Sequence, residues 1–316
     1  MRYLVTGVAG FIGFHVAKAL IKRGDAVIGI DNISDYYSVN LKRDRLKELG
    51  NKIKFYEGDI SDFDLMNKIF EENNFDKIIH LAAQAGVRYS LENPFEYEKS
   101  NGLGTLTIFE LAKRHNVKDV VYASSSSVYG GNKKVPFSVN DEVNNPISMY
   151  AATKKYSELL AHSYSRLYNI NFTGLRFFTV YGPWGRPDMS IYKFTKAILE
   201  DKKIELYNHG DHIRDFTYID DVVKGIMLAS DKNLGCNIYN LGNNKPIELM
   251  KIVDLIETKL NKVGKKEMLP MQKGDVHMTY ADIDLTTKNI GWLPETTIED
   301  GISKFIDWYK KYNNLK

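Results

Sequence analysis

The chain opens on an apolar run, Arg2 to Thr6, that reads as a short strand and gives way to a glycine-rich turn from Gly7 to Gly13. A helix-like stretch from Phe14 to Lys22 follows, and then a second strand from Ala26 to Ile30. Strand-like IKFYEG, amphipathic LMNKIFEEN, apolar KIIHLAA, helical TLTIFELAKRH and strand-like DVVYASS carry the alternation to residue 125. Strands and helices in this order predict an α/β fold, a Rossmann-type doubly wound parallel sheet. After Arg176 the pattern turns irregular. Helix candidates at Tyr192 to Glu200, Ile247 to Leu260 and Ile298 to Tyr312 are separated by short polar connections, which predicts a smaller C-terminal lobe. The expected division is therefore 1–177 for the sheet domain, with 215–231 returning to it, and 178–316 mainly for a substrate-binding lobe.

Composition narrows the function classes. Of 316 residues, 43% are hydrophobic and 26% charged, ordinary for a folded globular protein. Lys and Arg exceed Asp and Glu by 43 − 40 = 3, and no basic block stands out, so nucleic-acid binding is not expected. No apolar run approaches the roughly 20 residues of a membrane-spanning helix. The lone Cys236 cannot close an internal disulfide, and the start MRYLVTGVAG lacks the features of a secretory leader. Together these point to a cytoplasmic enzyme without membrane attachment. His80, His209 and His212 lack metal-ligand spacing, so no metal is expected.

Three clusters carry chemistry. GVAGFIG places Gly7, Gly10 and Gly13 between a strand and a helix, where bare backbone amides can approach a pyrophosphate. Asp31 ends the next strand, 18 residues after Gly13. A carboxylate there accepts bonds from an adenine-ribose diol and repels a 2′-phosphate, favouring NAD over NADP. Farther on, SSSSVYG at 124–130 follows an apolar strand, and YAATK sets Tyr150 and Lys154 four apart, on one face of a helix. A neighbouring ammonium favours the phenolate, which makes Tyr150 a candidate general base, and a strand-end serine could share the proton of a sugar hydroxyl.

In this order the four motifs resemble the extended short-chain dehydrogenase/reductase family over nearly the whole chain. Further matches are GDI at 58–60, HLAAQAGVR at 80–88, KSNGLGTL around Asn101 and HIRDFTYIDD at 212–221. The resemblance implies that Phe11, Ile12 and Asn32 join the glycines and Asp31 around the cofactor. It places Asp59 and Ile60 against the adenine, and Leu81, Ala82 and Ala83 along the dinucleotide. Asn101 and Phe177 would lie near the reacting end, and Arg214 on the nucleotide diphosphate of the substrate. Ser125 matches the catalytic Ser/Thr, with Ser127 a second candidate that contacts the sugar. A homodimer is implied as well, joined through the helices around Leu103–His115 and Tyr150–Tyr168.

Within the family the chemistry depends on additional acids. The 4,6-dehydratases carry Thr-Asp-Glu before VYG and the glucuronate decarboxylases a Glu, whereas this chain has Ser125, Ser126 and Ser127. Without those proton carriers, removal of hydride from carbon 4 and its return to the opposite face remains, which is epimerisation. LRFFTVYGPWGRPDMS at 175–190 looks like the UDP-glucuronate 4-epimerases, while galactose epimerases have Asn where this chain has Thr179. Arg186 or Arg88 could identify a uronate carboxylate through charge-assisted bonds. The expectation is an NAD-dependent 4-epimerase of a UDP-sugar, UDP-glucuronate first. UDP-glucose or UDP-N-acetylglucosamine epimerisation, decarboxylation, and a non-catalytic sugar-binding protein are the alternatives.

Overall fold

The structure is a computed structural model describing residues 1–232 and 234–315. Its strands are β1 (Arg2–Thr6), β2 (Ala26–Asp31), β3 (Ile53–Glu57), β4 (Lys77–His80), β5 (Asp119–Ser125), β6 (Asn171–Phe177), β7 (Thr179–Tyr181), β8 (Lys203–Leu206), β9 (Ile213–Tyr218), β10 (Asn237–Leu241), β11 (Pro246–Glu248) and β12 (Lys265–Met268). Among the described residues, seven form one sheet in the order β10-β6-β5-β4-β1-β2-β3. Every pairing in it is parallel. Strand order reverses at β1, flanked by β2 and β4, which opens a crevice beyond the carboxyl ends.

Side-chain alternation along these strands builds two cores. Tyr3, Val5, Ile79 and Val121 face one side, where they meet Phe14, Ala17 and Leu20 of helix Phe11–Arg23 and Val222 and Ile226 of helix Ile219–Asp231. Leu4, Ile78, Val120 and Phe172 face the other, against Ile69 and Phe70 of helix Phe63–Glu72 and Ile108 and Phe109 of helix Gly104–Arg114. With both faces covered, a strand cannot show polar alternation, which is why these segments read as unbroken apolar runs. Each fully buried Leu, Ile or Phe contributes about 1.5–3 kcal/mol.

The helix over Phe11–Arg23 begins three residues before the expected Phe14, because Gly10 in extended backbone caps it and Phe14 N–H already bonds Gly10 O at 3.0 Å. Helix Ile298–Tyr312 matches its apolar period at both ends. Beyond residue 177 the chain returns to the main sheet once more: β10, residues 237–241, pairs with β6 as its edge strand. Its five residues, NIYNL, lie between polar loops and carry too little pattern to register as a strand. Residues 215–231 divide in turn, for β9 joins β7 and β11 in a separate three-stranded sheet while helix Ile219–Asp231 packs on the main one. Helices Ser190–Leu199, Leu249–Leu260 and Ile298–Tyr312 extend the first core through Phe194, Ile252 and Phe305.

Candidate active site

Parallel register aligns the strand ends that carry the motifs. Thr6 pairs with Ile30 and with His80, Asp31 with Glu57, and Ser125 with Phe177. Residues just beyond them converge on one cleft of about 980 Å³. Every candidate from the sequence lines it except Asn101.

At the crevice, Gly7 has φ +71° and donates its N–H to Ile30 O at 2.8 Å. A Cβ at Gly13 would stand 2.1 Å from Gly7 O, and one at Gly7 2.8 Å from the Ala82 backbone, so the turn and helix close together only without side chains. Asp31 Oδ2 accepts from Ala9 N–H at 3.1 Å and Oδ1 from Ile33 N–H at 2.9 Å. Burial pushes its carboxyl up, while those amides and Lys42 oppose the rise. Asp59 is held below the usual carboxylate range: burial raises it, but the Ser61 amide and the Lys99 ammonium at 2.9 Å outweigh that. Ile60, Leu81, Ala82 and Ala83 continue the wall, with Phe11, Ile12 and Asn32 around the turn. The Thr6 hydroxyl, which motif reading passed over, fixes the β4 end by accepting from the Leu81 and Ala82 amides, both at 3.1 Å.

Asn101 stands behind this wall, fully buried in a π-helical turn. Its Oδ1 accepts from Gln84 N–H at 2.8 Å, while Nδ2 donates to Gln84 O and to Thr153 Oγ1, both at 3.0 Å. Both amide hydrogens are spent, so in this structure Asn101 joins the wall to the helix of Lys154 rather than facing the cleft.

At the reacting end, β5 places alternate serines on opposite faces. The Ser124 hydroxyl donates to Glu158 Oε1 at 2.7 Å, which leaves the Ser125 hydroxyl as the one that meets Tyr150. Ser125 Oγ accepts from Ser127 N–H at 3.1 Å and from Ser127 Oγ at 2.8 Å. Its own hydrogen is thereby left for an outgoing bond. Burial raises the Tyr150 phenol, opposed by its bond with Ser125 and by the Arg186 charge. Lys154 lies on the same face of helix Met149–Tyr168, 6.0 Å from the Tyr150 ring centroid, and donates to Ala123 O at 2.9 Å. Burial lowers its ammonium to about 8.

The cationic candidates separate. Arg186 is bound edge-on by Asp188, Nε to Oδ1 at 3.0 Å and Nη2 to Oδ2 at 2.5 Å, and the Tyr36 hydroxyl donates to Asp188 at 3.3 Å. Tyr36 lies outside the sequence motifs, and Asp188 stands two residues beyond Arg186 in the 175–190 segment. Arg88 lies half exposed over the Tyr207 ring at 4.4 Å and 3.9 Å from Asp275, the residue that also holds Arg214 at 2.7 Å. Arg214 further donates to Val276 O and His277 O, so it fastens the 275–277 loop. Thr179 and Phe177 stand at the β6–β7 junction, both on the cleft.

The family model for the NAD dependent epimerase/dehydratase family matches residues 3–242. The chain belongs to that family. A UDP-glucuronate 4-epimerase of Thermodesulfobacterium geofontis is 48% identical, over 98% of this chain and 96% of its own. Among solved structures, the UDP-glucuronic acid 4-epimerase of Bacillus cereus in complex with UDP-glucuronic acid and NAD superposes with a TM-score of 0.91 at 34% identity, covering 99% of this chain and 100% of that one. The UDP-glucose 4-epimerase of Thermotoga maritima, with UDP-glucose, gives 0.92 at 30% identity, with the same coverage. The protein is an NAD-dependent nucleotide-sugar epimerase.

The residues present suit the cofactor. The glycine turn closes on the helix and the β4 end without side chains and lines the cleft with bare backbone, as a pyrophosphate requires, and Asp31 retains lone pairs for the ribose diol after accepting two amides. Purified protein is therefore expected to yield NAD on acid extraction without added cofactor. Gly13→Ala should lose most of it, since overpacking against backbone costs about 1–3 kcal/mol, roughly tenfold to hundredfold in affinity. Wild-type NAD content in that variant would contradict the placement.

Proposed function

We propose that the protein interconverts UDP-glucuronate and UDP-galacturonate by epimerisation at carbon 4. The observation that carries this reading is three hydroxyls, Ser125, Ser126 and Ser127, beside Tyr150, at the position where the elimination enzymes of the family carry acids. The relatives support the sugar: four plant and one bacterial UDP-glucuronate 4-epimerases are 46–48% identical, and among solved structures a UDP-glucuronic acid 4-epimerase is 34% identical against 30% for a UDP-glucose 4-epimerase.

Bound NAD, held by the glycine turn and Asp31, would supply the oxidant for carbon 4 and a positive charge that favours the phenolate. Tyr150 takes the proton from the carbon-4 hydroxyl, and Lys154 stabilises the phenolate. Ser125, steadied by the two donors of Ser127, holds the oxygen during the change. Once the 4-keto sugar has turned over in the cleft, Tyr150 gives the proton back to the same oxygen. The intermediate is a β-keto acid, so its carboxylate must stay ionised and out of line with the carbonyl π-system. Fixed donors do this at little reorganisation cost, and Thr179 and Arg186, whose Nε and Nη2 are held by Asp188, are the groups we assign to it.

Arg186→Ala should lower kcat/KM for UDP-glucuronate more than about tenfold and leave that for UDP-glucose within about threefold, because removing one partner of a sheltered charged bond costs about 2–5 kcal/mol. Measuring both sugars separates this from a general folding defect. An unchanged ratio would move the specificity role elsewhere, and a wild type that prefers UDP-glucose would overturn the substrate assignment.

The same reading extends to a homodimer. Leu103 and Leu159, on the two helical segments expected to pair, are 49% and 57% exposed, apolar surface that a second copy would cover. Light scattering should give twice the chain mass at micromolar concentration, and a monomer mass would contradict it.

A further inference from the structure

The loop from Gly182 to Asp188 carries Arg186 into the cleft, but much of its hold comes from the cofactor-binding side. His15, on the helix that follows the glycine turn, lies with Nε2 2.9 Å from Pro183 O. Burial lowers His15 to about 4, so near neutral pH the ring is uncharged and its Nε2 must carry the hydrogen to meet a carbonyl. Arg45, on helix Val39–Leu49, donates from Nη2 to Trp184 O at 2.6 Å. Its other nitrogen, Nη1, donates to Ala9 O and to the Tyr37 hydroxyl, each at 2.8 Å. Ala9 lies within the glycine turn, and its own N–H is the donor to Asp31.

Arg45 is fully buried, and among the described residues no carboxylate lies within ion-pair distance of it. Desolvating a guanidinium against neutral carbonyls is costly, and an apolar side chain would fill the same space more cheaply. What an apolar residue cannot do is bridge two carbonyls on two separate loops with one planar fork. The clasped loop also holds an unfavourable backbone: Trp184 has φ +62°. Trp184 is wedged between Phe14 and the C-terminal helix residues Trp308 and Tyr312, at 5.3–5.5 Å between ring centroids. A left-handed non-glycine residue persists only where its surroundings over-determine it.

We propose that Arg45 is a positioning residue that locks the Gly182–Asp188 loop onto the glycine turn, so that the sugar and dinucleotide halves of the cleft keep one register. This rests on the reading of the cleft as an NAD and nucleotide-sugar site. Arg45 touches neither ligand in this account and acts on the sugar through Arg186.

The test uses the NAD-loaded enzyme with Arg45→Met and Arg45→Lys, each alone and combined with Arg186→Ala. Amide hydrogen exchange over residues 184–189, measured without sugar on proteins loaded to the same NAD content, should be about tenfold faster in Arg45→Met and intermediate in Arg45→Lys. KM for UDP-glucuronate should rise about tenfold while kcat stays within about threefold. In the Arg186→Ala background the same change should raise KM by less than about threefold, since the group it positions is gone. Equal KM factors in both backgrounds, or wild-type exchange in Arg45→Met, would overturn the proposal. Should Arg45→Met not fold, Arg45→Lys, which can keep one of the two carbonyl bonds, carries both comparisons. A wild type that leaves UDP-glucuronate untouched would fault the substrate assignment alone, because the exchange measurement needs no sugar.

Discussion

Tyr150→Phe is expected to lower kcat by about 10²–10⁴ while KM stays within about threefold. The change deletes one oxygen and leaves the ring, which packs edge-on against Tyr97 at 6.0 Å, in place. What disappears is the acceptor for the carbon-4 proton, since Ser125 has no base of its own beyond the Ser127 hydroxyl that donates to it. A variant with wild-type kcat would remove Tyr150 from the mechanism. Unchanged thermal stability should accompany the loss, because the phenol oxygen has its bond to Ser125 and little else.

Lys154→Met should reduce kcat at pH 7 by about a hundredfold and move the acid limb of the pH profile upward by about two units. A unit charge 6.0 Å from the ring centroid, at an effective dielectric of about 20, is worth about 2.8 kcal/mol, or two pKa units on the phenol. The sign follows from the lysine's own titration. With its ammonium lowered to about 8, Lys154 is charged below that pH and favours the phenolate there, and the benefit fades above it. Wild type and variant should therefore converge as pH rises past about 8. Parallel profiles with no shift of the acid limb would reduce Lys154 to a tether on Ala123 O.

Much of this site was legible in the sequence because its parts sit at strand ends, where a motif is short and contiguous. The glycine turn, Asp31 and the Tyr150–Lys154 pair each lie within one element, and parallel register then brings them together. The choice among the serines needed the strand's two faces, which became visible when Glu158 was seen to engage Ser124. Contacts between distant segments left no local signal. Arg45 could not be paired with Trp184, a residue 139 positions away, because that spacing has no periodic or motif form. Asn101 shows the opposite limit. Its position was readable by resemblance, but the use of both amide hydrogens on Gln84 and Thr153 is a matter of tertiary geometry alone. The edge strand β10 escaped for an energetic reason: its pairing with β6 is non-local, and five residues carry little intrinsic preference.

The most direct measurement incubates the purified protein with UDP-glucuronate, without added NAD, and separates the products by chromatography. One new UDP-uronic acid is expected, the carbon-4 epimer UDP-galacturonate, approaching a fixed ratio from either direction with no UDP-pentose and no released carbon dioxide. A UDP-pentose product, or no conversion of UDP-glucuronate by NAD-loaded protein that does convert UDP-glucose, would contradict it.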